Sequence, residues 1–62
     1  MNRLKQRRRM LGLTQFDVAK RAGILYSRIT FAESGRRKLT KEEIGRIERV
    51  LAKRAEQITH VA

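Results

Sequence analysis

Between positions 26 and 31 the chain carries Tyr26, Ser27, Arg28, Thr30 and Phe31. Arg28 can donate two parallel hydrogen bonds to O6 and N7 of a guanine, and Ser27 can bond a base edge or a phosphate. Thr30 and Phe31 can touch a thymine methyl. Two alternatives stay open: Tyr26 suits a phosphate as well as a base, and Phe31 suits a core or dimer contact as well as a groove. Arg36-Arg37-Lys38 follows. Contacts from that tract to a phosphate backbone would add affinity without reading sequence.

Composition points to the same kind of partner. The chain has 62 residues, with 16 Lys plus Arg against 6 Asp plus Glu, a formal net charge of +10. An excess that large implies a polyanion. The length suits one domain over residues 1–62, with no second domain or large effector pocket. Cysteine is absent, which removes disulfides, thiolate metal sites and thiol catalysis together. His60 is the single histidine and has no partner in sequence. Asp17, Glu42, Glu43, Glu48 and Glu56 sit beside Lys or Arg at helical spacings, and no pair of them suggests acid-base work. The expectation is therefore no enzyme, no cofactor and no metal. The first twelve residues are charged and do not read as a signal peptide, and no run is apolar enough to span a bilayer. A cytoplasmic location is expected.

The residues above need elements to hold them, and every strong periodic signal is helical. A first helix is predicted from about Asn2 to Leu11, with Leu4 and Leu11 on one face and Gly12 as its C-terminal cap. A second is predicted from Gln15 to Ala22, with Thr14 as N-cap and Asp17 three residues on. Gly23 permits a sharp turn with positive φ. A third helix runs from Tyr26 to Glu33, with Ile29 and Ala32 inward. A fourth begins after Thr40, where Thr40-Lys41-Glu42-Glu43 is a full capping box. Ile44, Ile47, Leu51 and Ile58 then recur at helical spacing, so this helix is predicted to be long, about Lys41 to Ile58.

The stretch from Gln15 to Ser34 carries the specific pattern. Two short helices joined by a tight turn need a small residue where they approach, and Ala19 stands there. They need Gly at the turn, and Gly23 follows four residues later. An aliphatic residue must anchor the outer helix, and Ile29 lies six beyond the Gly. Val18, Ala22, Ile24 and Ala32 supply the other buried positions. In Gly12-Leu13-Thr14-Gln15, Val18-Ala19-Lys20-Arg21-Ala22-Gly23-Ile24, Ser27, Ile29 and Glu33-Ser34-Gly35-Arg36, the chain resembles the phage-repressor and Cro type of helix-turn-helix domain, the XRE family. The resemblance covers about Leu4 to Leu51. Leu25 and Leu39 depart from it, standing where the family usually has a polar residue and often Pro.

The resemblance implies an all-α, lambda-repressor-like bundle of four or five helices that binds double-stranded DNA, usually as a homodimer. It implies that Gln15 holds a phosphate and braces the start of the third helix. It implies that Tyr26, Ser27 and Arg28 face base edges, that Thr30 and Phe31 reach the groove, and that Arg36, Arg37 and Lys38 contact the backbone. It also implies a partly buried ion pair between Arg8 and Glu33. The leading expectation is a sequence-specific transcriptional regulator, a repressor, with residues 26–33 in the major groove. Ala55, Ile58 and Val61 lie past the four-helix core, which makes residues 52–62 a candidate dimerisation or partner-binding extension. The alternatives are an antitoxin whose C-terminal segment binds a toxin, and non-specific nucleic-acid or RNA binding by the basic surface.

Overall fold

The computed structural model describes residues 3–59 and contains four helices: α1 (Arg3–Met10), α2 (Gln15–Ala22), α3 (Tyr26–Glu33) and α4 (Lys41–Thr59). No strand occurs among the described residues. The predicted helical position Asn2, and His60 and Val61, lie outside them. Helices α2 and α3 occupy the expected bounds. Helix α4 is one continuous rod of 19 residues, so no separate fifth helix forms within residues 3–59.

Local chemistry sets each boundary. Thr14 accepts from the Asp17 N–H at 3.0 Å, and the Asp17 carboxylate accepts from the Thr14 N–H at 2.9 Å. The pattern read as a weaker relative of the capping box is thus fully reciprocal, Asp serving in place of the commoner Glu. Thr40 and Glu43 make the same exchange at the head of α4, at 3.1 and 2.9 Å. Helix α2 ends at Gly23, whose φ of 68° lies in the left-handed region. There the Ile24 N–H reaches back to the Ala19 carbonyl at 3.0 Å, a Schellman closure that turns the chain toward α3. Equivalent bonds close α1, from Leu13 N–H to the Arg8 carbonyl, and α3, from Arg36 N–H to the Phe31 carbonyl.

The core lies between α2, α3 and the middle of α4. It is formed by Val18, Ala19 and Ala22 of α2, Ile29 of α3, Ile47 and Leu51 of α4, and Leu13 and Ile24 from the turns, with α2 contacting both α3 and α4. Leu4, Leu11, Leu39 and Val50 pack around this set. Two expectations need adjustment. Ala32 is only half-buried, and Ile44 and Ile58 are exposed, the buried core residues of α4 being Ile47 and Leu51.

Polar staples join the helices. Arg7 of α1 donates both its bonds to Glu48 of α4 at 2.7 and 2.8 Å, and Arg54 of α4 donates to the Leu11 carbonyl at 3.1 Å. No described helix is long and apolar enough to cross a membrane.

Candidate nucleic-acid interface

Helix α3 is positioned by its buried side. Ile29 is 2% exposed and fixes which face of the helix turns inward. The opposite face follows from the 3.6-residue period: Tyr26, Ser27, Thr30 and Phe31 share it. Tyr26 is 49% exposed and Phe31 41%, while Ser27 is exposed and Thr30 half-buried. The Thr30 hydroxyl donates to the Ser27 carbonyl at 2.9 Å. Its O–H donor is therefore already engaged, which leaves the oxygen lone pairs and the methyl for other contacts.

Leu25 takes the N-cap position of α3 and gives no side-chain cap. The first backbone N–H groups of the helix are thus free of a side-chain acceptor. With the positive end of the helix dipole they suit a phosphate. Phe16, at the start of α2, supports this end. Its ring meets Tyr26 edge-on, with centroids 6.1 Å apart and planes at 60°. Sequence reasoning missed Phe16, since one aromatic at the second position of a helix carries no pairing signal.

Arg28 does not stand free. Its Nε donates to Oε2 of Glu43 at 2.5 Å and its Nη2 donates to Oε1 at 2.7 Å. The pair ties α3 to the first turn of α4. The Arg28 hydrogen bonds, with the Thr40 N–H, hold the Glu43 carboxyl down at about 2. Glu43 raises the pKa of Arg28 in return. The sequence showed Glu43 only as a capping and surface acid; its second role depends on the loop bringing α4 back beside α3.

Arg8 and Glu33 form a bidentate pair, Nε to Oε2 at 2.8 Å and Nη2 to Oε1 at 2.9 Å. Burial opposes the charge on Glu33, but hydrogen bonds from Arg8 and Gln15 outweigh it and hold the carboxyl below its ordinary value. Gln15 donates to Glu33 Oε1 at 2.9 Å. Gln15 thereby meets the last residue of α3. The reason is that Glu33 carries a nearly buried charge whose lone pairs need donors. Gln15 stands beside Thr14 and Phe16 in an open groove that Tyr26 also lines.

Arg36, Arg37 and Lys38 are exposed on the loop that leaves α3. A separate basic groove is lined by Arg21 of α2 and Arg46, Arg49 and Lys53 of α4. Within the core, the gap between Leu4, Val18, Ile29 and Ile47 measures about 20 Å³, room for a water and no effector. No cluster among the described residues could hold a metal ion.

A family model described as helix-turn-helix matches residues 4–58. Comparison with the curated proteins found no match, and comparison with the solved structures found none.

Proposed function

The chain belongs to the helix-turn-helix family of the Cro/C1 type, a family of DNA-binding regulators, and from that premise we propose that it is a sequence-specific repressor that lays α3 in the major groove. One observation carries the reading. Helix α3 presents Tyr26, Ser27, Thr30 and Phe31 outward with Ile29 locked beneath them, and the Arg36–Lys38 tract follows directly. A rigid helix with one open face and flanking cations meets the demands of groove recognition: phosphate contacts set the register, and base-edge contacts select the sequence.

In this reading Arg28 bonds a guanine through O6 and N7, and Ser27 reads a base or a phosphate. Tyr26 takes a phosphate or a base beside the start of α3. Thr30, through its methyl, and Phe31 contact thymine methyls. Arg36, Arg37 and Lys38 bind the backbone, and Gln15 binds a phosphate. The Arg8–Glu33 pair is structural, fixing α3 against α1. The protein acts in the cytoplasm and is not an enzyme.

A homodimer would set two such helices about 34 Å apart, one turn of the duplex. Ile58, 45% exposed on the last turns of α4, is the apolar residue that supports this contact. Val61, offered with it, lies outside the described residues. Sedimentation at high micromolar concentration should give twice the monomer mass, reduced to the monomer by Ile58→Glu. A stable complex with a small co-expressed protein in place of the dimer would favour the antitoxin reading.

Selection from a random duplex pool tests the function. A palindromic consensus should emerge, bound roughly 10³-fold or more tightly than scrambled duplex at fixed salt. Recovery of unenriched sequence, with equal affinity for every duplex, would leave only non-specific binding by charge.

A further inference from the structure

The contact between Arg28 and Glu43 uses one edge of the guanidinium and spares another. A guanidinium carries five N–H donors. Glu43 takes the one on Nε and one on Nη2. The end-on edge, formed by Nη1 and the second Nη2 hydrogen, has no partner among the described residues. That edge is itself a two-donor fork, and it suits O6 and N7 of guanine.

Glu43 is well placed to act as a fixed support. Its Oε1 also accepts from the Thr40 N–H, and its own N–H donates to the Thr40 hydroxyl. The carboxylate is thus anchored to the first turn of the long helix α4. Its side chain is 15% exposed, against 38% for Arg28. The anchored partner lies inside and the forked partner lies toward solvent.

We propose that Glu43 is a positioning residue for base recognition: it clamps the side edge of Arg28, presents the end-on edge to a guanine, and so sets preference at one base pair. The inference rests on the reading that α3 lies in the major groove. Two consequences follow. A clamped arginine has fewer rotamers to lose on binding, which favours the matched base. An arginine paired with a carboxylate is close to neutral, so it adds little to the phosphate attraction that acts on any sequence.

The test uses the full chain and the duplex selected from a random pool, with all four base pairs placed in turn at each position. Wild type, Arg28→Ala, Glu43→Gln and Thr40→Ala are compared. Gln serves at the third helical position of a capping box, so Glu43→Gln keeps the start of α4 while removing the charge. Thr40→Ala weakens the same cap and leaves the Arg28 contact in place. Arg28→Ala should abolish a guanine preference of about tenfold or more at one position. Glu43→Gln should cut that same preference most of the way, and should steepen the salt dependence on random duplex by about one phosphate contact. Thr40→Ala should lower the melting temperature yet keep the preference.

If Arg28→Ala lowers no preference at any position, the base-reading role of Arg28 falls and the Glu43 role falls with it. If Arg28→Ala removes the preference while Glu43→Gln keeps it, only the Glu43 role is overturned. A sharper preference in Glu43→Gln would overturn it too, by showing that the carboxylate competes with guanine. Loss of preference in Thr40→Ala would assign the effect to the helix end instead.

Discussion

Arg8 and Glu33 stand 25 residues apart in sequence and meet through two parallel hydrogen bonds of 2.8 and 2.9 Å, with only 10% and 8% of their side chains exposed. Arg8 also donates from Nη1 to the Leu13 carbonyl at 2.7 Å. One guanidinium therefore links α1, the turn after it and the last residue of α3. Removing one partner strands a charge in the interior.

Arg8→Ala should accordingly cost about 3–5 kcal/mol, the range for a broken buried pair. That is comparable to the whole stability a core of this size supplies, roughly 3–5 kcal/mol. Urea melts followed by circular dichroism should find the variant largely unfolded at 25 °C. A cooperative transition within about 1 kcal/mol of wild type would show that the pair is not a structural tie.

Acid should destabilise the fold over a defined range. The carboxyls of Glu33 and Glu43 titrate below the ordinary 4.5 in the folded chain, that of Glu43 at about 2. The unfolded chain takes up protons first, so stability falls as pH falls. The contribution is complete above the unfolded value, shrinks below about 4.5 and is gone once Glu43 protonates near 2. Melting temperatures between pH 7 and 2 should show this decline, and Glu43→Gln should flatten part of it. Identical acid limbs for both proteins would contradict the assignment.

Two glycines should respond with opposite signs. Gly23 has a φ of 68°, and a Cβ there would lie 4.0 Å from Arg46 Nη1, an ordinary contact. The cost of Gly23→Ala is then backbone strain alone, about 1–2 kcal/mol. Gly45 lies inside α4, where a Cβ would meet nothing closer than Arg49 Nη2 at 4.0 Å. Gly45→Ala should stabilise by about 0.5–1 kcal/mol. Thermal melts of the two variants check both signs, and equal shifts would undercut the turn geometry.

Arg28 and Arg36 should part company on DNA. Arg28→Ala should lose roughly 1–3 kcal/mol on the selected duplex and little on random duplex. Arg36→Ala should weaken both about equally and reduce the salt slope by about one contact. Titrations at several salt concentrations measure both effects. Parallel behaviour of the two variants would remove the distinction between reading and anchoring.

The parts of this fold legible in sequence are those fixed over short spans. Thr14 with Asp17, Thr40 with Glu43, and Ala19 with Gly23 act within one or two turns, and each marks a boundary that holds in three dimensions. Ile29 was legible because its spacing from Gly23 is set by the turn itself. What stayed hidden depends on where the chain returns. Leu13 is buried, yet it sits in a turn where no periodicity points inward. Glu43 faces Arg28 across a loop whose path no residue pair announces, and Arg7 finds Glu48 at a separation of 41 residues. The position of Gln15 on Glu33 likewise follows from the need to satisfy a nearly buried carboxylate, visible only once α1 and α3 are packed together.

The claim that α3 carries the contact with DNA is tested most directly by backbone amide shifts of isotopically labelled protein titrated with the selected duplex. The largest changes should fall on residues 26–31 and 36–38, with Gln15 and Phe16 beside them, and little change at Arg46, Arg49 and Lys53. Changes centred on those three cations of α4, with α3 unmoved, would place the duplex on the other basic face and contradict the account.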